Sequence, residues 1–358
     1  MRIDLTGTNA SQVTSSLLQA RRQAGSPSMG MVLTLVVVTD EAHHGEALRS
    51  AREVSTEHPA RILGVIRGPA RGKSRLDAEV TIGDGTSGET ALLRLSGELT
   101  RHPVSVVTPL LLADSPVVVW WPNDAPDDPA GDPLGRLAQR RITDCANSRR
   151  RSTAMAGQAQ HHTAGNTDLS WTRLTPWRAL LAAGLDQHPV RVTSATVEAK
   201  TPNPSADLLA AWLGSRLEVP VETRRSGGPG ITAARLHSSH GDISLDRPDG
   251  RLATFRIPGE ADRPVALQRR STAELLAEEL RRLDNDDIYQ QTVLAYARSQ
   301  QPPAKGKRST GTKTTGTKTT GKTTGKTTGK TTGKTTGKTT GTKTATKTRT
   351  GSTRRRRT

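Results

Sequence analysis

Only one cysteine, Cys145, occurs among the 358 residues. The chain therefore closes no internal disulfide and builds no cysteine-based zinc cage, since both need several sulfurs. Thiol usage this sparse fits a reducing cytoplasm, the expected location. Aromatics are scarce too, at five Trp, two Tyr and one Phe, so each is a notable packing or contact residue. Long apolar runs are missing: Met31–Val38 and Val117–Trp121 fall far short of the ~20 residues a membrane helix needs. The opening MRIDLTGTNASQ has no apolar stretch of the kind an export signal carries, so no membrane partner is expected. Acid is absent after Asp287, whereas 17 of the 52 basic residues follow position 300. The remaining 35 are balanced by 34 acids, so the net charge of +18 belongs to the tail and the body is nearly neutral.

The body carries a mixed α/β pattern. After a polar stretch with a helix expected over Ser11–Gln23, MVLTLVVV lacks alternation and is rich in β-branched residues, which predicts a strand buried on both faces. Asp40 is placed to cap a helix that carries Ala42, Leu48, Ala51 and Val54 along one face; His58-Pro59 ends it before RILGVIR, a second buried strand. Together they make a βαβ unit with parallel strands. DAEVTIG (Asp77–Gly83) and ETALLRLSG (Glu89–Gly97) alternate around an Asp84-Gly85 turn, the pattern of an antiparallel hairpin. A helix over Pro103–Leu112, a strand in SPVVVWWP and a strand in RITDCAN (Arg141–Asn147) follow, and residues 148–167 read as an exposed connector.

The second half repeats the mixture. Helices are expected over Leu169–Leu185 and Ser205–Leu217, a strand over Val190–Ala199, and short strands between Val219 and Leu267. Ser271-Thr272-Ala273-Glu274 has capping-box spacing and opens a helix to Leu283, ahead of another over Asp286–Arg298. The expected organisation is an N-terminal α/β domain over 1–150, a C-terminal α/β domain of similar make-up over 168–298, and a disordered Lys/Thr/Gly-rich cationic tail over 299–358. Six consecutive Lys-Thr-Thr-Gly copies, Lys318–Gly341, give that tail nothing to bury.

Two stretches imitate nucleotide-handling motifs. GTKTTGKT (Gly316–Thr323) fits G-x-x-x-x-G-K-[ST], but no buried strand precedes it and no helix follows, so its backbone N–H groups have nothing to aim them at phosphates. DEAH (Asp40–His43) follows a buried strand but has no phosphate loop upstream; Asp40 as a helix cap and Glu41 as a first-turn acid account for it. GPARGKS (Gly68–Ser74) is one residue short of a phosphate loop and leads into a strand, which makes it a solvated connection. The adjacent pairs His43-His44 and His161-His162 lack metal-ligand spacing, and no nucleophile elbow or dinucleotide glycine fingerprint follows a strand. No catalytic residue, cofactor site or metal site is therefore assigned.

STEHPARILGVI (Ser55–Ile66), LLLADSPVVVWWP (Leu110–Pro122) with RRITDCANS (Arg140–Ser148), and DLSWTRLTPWRALLA (Asp168–Ala182) together resemble one family, the glucose-6-phosphate dehydrogenase assembly protein OpcA. AAWLGSRL and EELRRLDNDDIY extend the resemblance over residues 1–297. It implies a non-catalytic protein that binds glucose-6-phosphate dehydrogenase and promotes its active oligomer, or acts on it as an allosteric effector, in support of the oxidative pentose phosphate pathway. Thioredoxin control, which the resemblance also brings with it, conflicts with the lone Cys145. Interfaces favour Trp and Arg anchors, so Trp121, Trp171, Arg173, Trp177 and Arg178 are the contact candidates; aromatic stripes at helical spacing fit core packing better than an interface, and the two arginines, harder to bury, are the better contact residues. A second reading rests on the tail, where Lys322, Lys326, Lys330, Lys334, Lys338, Arg354, Arg355, Arg356 and Arg357 could neutralise the phosphates of a nucleic acid or another polyanion without sequence preference.

Overall fold

The computed structural model describes residues 1–24, 30–82 and 88–300; the Asp84-Gly85 turn and residues 301–358 of the cationic tail lie outside them. The first sheet takes its strands from β1 (Arg2–Leu5), then, after helix α1 (Ala10–Ala24), β2 (Leu33–Thr39), and after α2 (His44–Val54), β3 (Ala60–Arg67), β4 (Arg75–Ile82) and β5 (Glu89–Ser96). A short helix α3 (Pro103–Val107) precedes β6 (Val117–Trp120) and β7 (Arg140–Thr143), and helix α4 (Arg151–Gln160) leads to β8 (Asn166–Asp168). The apolar run of β2 is buried because the strand is central, paired parallel with β3 on one side and β6 on the other. The expected βαβ unit is β2-α2-β3, and the hairpin is the antiparallel pair β4 and β5.

Spatial order in this sheet is β1-β4-β5-β3-β2-β6-β7-β8. Strands β5, β3, β2, β6, β7 and β8 are mutually parallel. Numbered along the chain, those six run 3-2-1-4-5-6, the order of the doubly wound Rossmann sheet. The direction of winding reverses between β2 and β6. One face packs against α1, with Val13 and Leu17, and against the segment from Val106 to Leu110. The other packs against α2, with Leu48 and Ala51.

Helix α5 (Leu169–Thr172) is followed by α6 (Thr175–Gln187), β9 (Val192–Ala199), α7 (Pro204–Leu217), β10 (Val221–Arg225), β11 (Ile231–Ser238), β12 (Ile243–Asp246), β13 (Leu252–Arg256), β14 (Arg263–Ala266), α8 (Thr272–Leu280) and α9 (Asp287–Ser299). The second sheet has order β10-β9-β11-β12-β13-β14 and is antiparallel except between β9 and β10. The two lobes share the alternation of helix and strand but not the strand order. Two segments cross between them: α4 contributes Ala154, Met155 and Ala159 to the core of the second lobe, and α8 returns Leu275, Leu276 and Leu280 to the first sheet.

Several local expectations are revised. Residues 148–167 are not an exposed connector, because α4 lies within them and buries Ala154, Met155 and Ala159, and the start of β8 buries Asn166 and Thr167. The strand in RITDCAN stops at Thr143, where Asp144 accepts the Asn147 N–H and turns the chain. Asp40 does not cap α2: its Oδ1 accepts the His43 N–H at 2.9 Å and closes the turn ahead of the helix. The helix after Pro103 shortens to α3 and a single 3-10 turn over Thr108–Leu110. Thr175-Pro176 opens a new helix, with the Pro in its first turn where no N–H is needed. The capping box forms as expected, the Ser271 hydroxyl accepting from the Glu274 N–H and the Glu274 carboxylate from the Ser271 N–H.

Asp207, in the first turn of α7, has its carboxyl pushed up to about 6 by burial. The unfolded group titrates near 3.8, so folding takes up a proton between these values and stability falls as pH rises through that window. At about 1.4 kcal/mol per unit, the penalty above pH 6 is roughly 3 kcal/mol at most. Asp207→Asn is therefore expected to unfold later than the parent at pH 7.5 and to match it at pH 3.5, as read by urea midpoints at the two pH values.

Candidate functional site

The motif segments are far apart in sequence but meet in one buried polar seam. Asp168 ends β8 and caps α5: its Oδ1 accepts the Ser170 N–H at 2.8 Å, while its Oδ2 accepts from the Thr143 hydroxyl at 2.6 Å and the Cys145 N–H at 2.9 Å. Beside it, Arg173 donates two hydrogen bonds of 2.8 Å to Asp144, whose side chain is fully buried. Burial pushes the Asp144 carboxyl up, and the guanidinium opposes that shift. Such a pair is costly to desolvate and costlier to break.

The seam continues through α8. Arg140, at the start of β7, donates to Glu279 at 2.6 Å and to the Asp284 carbonyl at 2.8 Å, and the Thr172 hydroxyl donates to the other Glu279 oxygen at 2.5 Å. Glu278 accepts from the Thr175 hydroxyl at 2.7 Å and from Arg270. Trp171 Nε1–H donates to Asp286 at 2.8 Å, and the Arg178 guanidinium lies over the Trp171 ring at 3.6 Å from its centre. The arrangement locks β7, α5, α6, α8 and the cap of α9 together.

Reactive chemistry is not what this geometry favours. Burial, with Asp168 alongside, pushes the Cys145 thiol well above its usual range, so it stays protonated and shielded. Among the described residues no group of three His, Cys, Asp or Glu is placed to hold a metal ion, and no helix is long and apolar enough to cross a membrane. Asp40 and Glu41 of the DEAH stretch are engaged locally, Asp40 with His43 at 2.6 Å and Glu41 with Arg94 at 3.0 Å.

Of the contact candidates, Trp121, Trp171 and Trp177 are buried at 2 % exposure or less. Trp121 packs on the α1 face of the first sheet, while Trp177 lies in the second lobe with Arg247 at 4.9 Å from its ring centre. The seam brings Trp171, Arg173 and Arg178 together; the two arginines are half-buried. The tail candidates, Lys322 to Lys338 and Arg354 to Arg357, lie outside the described residues. Sequence reasoning missed Arg140 and Glu279. Their signal was present only as charged residues inside two motifs.

Fold and seam define a mixed α/β protein with two sheets whose motif residues bind its own parts to one another. The family model of the glucose-6-phosphate dehydrogenase subunit N-terminal domain matches residues 51–160, and that of the C-terminal domain matches residues 164–293. The chain belongs to the OpcA family of glucose-6-phosphate dehydrogenase assembly proteins. No curated protein matches it significantly. Among solved structures, an oxidoreductase from Sinorhizobium meliloti is similar at 10% identity, over 75% of this chain and 88% of that one, with a TM-score of 0.35. The super-repressor mutant of Gal80p from Saccharomyces cerevisiae is similar at 8% identity, over 74% and 94%, with a TM-score of 0.38. At these values neither likeness bears on function.

Proposed function

We propose that the chain binds glucose-6-phosphate dehydrogenase as a non-catalytic assembly factor or allosteric effector and promotes its active oligomer, in support of the oxidative pentose phosphate pathway. The observation that carries this reading is the consecutive match of two dehydrogenase-subunit domains over residues 51–160 and 164–293. A seam that couples the two matched segments supports a role in which the body presents one preformed surface. Arg173 and Arg178 keep part of their surface in solvent, and a docking partner reaches them before the indoles behind. Titrating the purified chain into its cognate dehydrogenase is expected to raise activity and the oligomer fraction in sedimentation together. No co-sedimentation and no change in activity would overturn the reading.

The cationic tail favours a second, compatible role in which a polyanion such as a nucleic acid localises the body. Neutralising ~8 phosphates gives a log–log salt dependence of about −7. Removing residues 301–358 is expected to abolish retention on DNA and to leave activation of the dehydrogenase in place. Retention by the truncated chain, or retention insensitive to salt, would count against the tail.

A further inference from the structure

In open α/β sheets, ligands bind outside the carboxyl ends of the strands where the winding reverses. In this chain that point lies between β2 and β6, and two adjoining cavities occupy it. One of about 250 Å³ includes His43, Glu46, Trp120, Asn123 and Arg151 in its lining, and one of about 360 Å³ includes Thr39, Asp40, Trp121 and Arg149, with Asn123 shared between them. We propose that this crevice binds a small hydroxylated anion, of the class of sugar monophosphates and sugar acids.

Two buried polar groups point to a ligand. Trp120 is fully buried at the end of β6, lines the smaller cavity, and has an Nε1–H with no acceptor among the described residues. Thr39, at the end of β2, lines the larger cavity, and its buried Oγ1 is likewise without a partner. Each such group costs about 1–3 kcal/mol when its hydrogen bond is left unmade. They stand on the two strands that flank the reversal, Trp120 at the smaller cavity and Thr39 at the larger.

The charges select the ligand class. Around the larger cavity the ions are matched: Arg149 pairs with Asp124 at 2.7 Å and Asp40 at 3.5 Å, and Arg67 with Asp132 at 3.1 Å. Around the smaller one, Arg151 and Glu46 make no ion pair among the described residues. Arg151 supplies the cation for a phosphate or carboxylate, the Trp120 N–H and the Asn123 amide donate to oxygens, and Glu46 accepts from hydroxyl groups. A dinucleotide is disfavoured. Its pyrophosphate would sit at the β2-α2 turn, where no glycine fingerprint occurs and where Asp40 already accepts the His43 N–H. A site of this size suits one sugar ring.

The test uses the full chain with ¹⁵N-labelled indoles, followed by NMR and by calorimetry. Ribose 5-phosphate and glucose 6-phosphate are titrated, with inorganic phosphate and NADP⁺ as comparisons. The Trp120 Nε1–H resonance, assigned by Trp120→Phe, is expected to shift saturably with a Kd below about 1 mM, while that of Trp171 stays in place. Arg151→Ala, an exposed change that spares the fold, is expected to weaken binding about tenfold, the loss of one charge-assisted contact. The proposal is overturned if no sugar phosphate shifts the Trp120 signal, if inorganic phosphate alone binds equally well, if NADP⁺ is the better ligand, or if Arg151→Ala changes nothing. Because the dehydrogenase is absent from the experiment, its result is separate from the proposed partner role.

Discussion

Glu279→Ala is expected to lower the unfolding free energy by about 3–5 kcal/mol, the cost of removing one member of a buried ion pair. Arg140 and Glu279 are 4 % and 7 % exposed, and the guanidinium Nε already lacks an acceptor. Truncating Glu279 strands the Arg140 Nη2 and the Thr172 hydroxyl in a space that water does not reach freely. Set against a total stability of about 5–15 kcal/mol, that loss is a large fraction of what holds a domain folded. The expected signature is a lower guanidinium midpoint at unchanged slope. A chain carrying Arg140→Met and Glu279→Leu together is expected to regain most of the loss, since no buried charge is then left unpaired. If Glu279→Ala left the midpoint within about 0.5 kcal/mol of the parent, the effect of an ordinary surface change, the seam would not be the latch described above.

The same pair shows where sequence reading stops. Arg140 and Glu279 are 139 residues apart, and nothing local marks either as buried. Their burial follows from α8 crossing back onto the first sheet, a non-local event that a 3.6-residue pattern cannot announce. By contrast, β2, α2 and β3 were legible because each element buries what its own pattern offers: continuous apolar strands at the sheet centre and one apolar stripe on the helix. β4 was legible because one of its faces is better covered than the other, so Leu76, Ala78, Val80 and Ile82 are buried and alternate with the half-buried polar residues Asp77, Glu79 and Thr81. Helix α4 was not, since RSTAMAGQAQ buries only Ala154, Met155, Gln158 and Ala159, one of them polar, and carries little periodic contrast. The Rossmann strand order was hidden for a chemical reason. Its usual sign is the glycine loop, and here Asp40 closes the corresponding turn with its own carboxylate.

Trp171→Ala is expected to cost about 3–5 kcal/mol, as for other buried aromatic truncations, and it separates the two readings of the W-T-R-L-T-P-W-R motif. The indole is 1 % exposed, with the Arg178 guanidinium over its ring and the Tyr289 ring centre 5.9 Å away at a tilt of 48°. Its loss removes a cation–π stack of about 1–2 kcal/mol and leaves the half-buried guanidinium of Arg178, whose Nε has no acceptor, without a face to rest on. It also removes the N–H that Asp286 accepts while its other oxygen caps α9 through the Tyr289 N–H at 2.9 Å. Trp171→Phe keeps a ring under Arg178 and forfeits the hydrogen bond, so its cost should fall near 1.5–3 kcal/mol, the worth of a bond to a charged group. The order Ala, then Phe, then parent in denaturation midpoints, with dehydrogenase binding retained wherever the variant is folded, is what a core residue produces. An unchanged midpoint together with lost binding would instead move the indole to the partner interface. The geometry favours the first result, because a side chain only 1 % exposed has little surface left to give a partner.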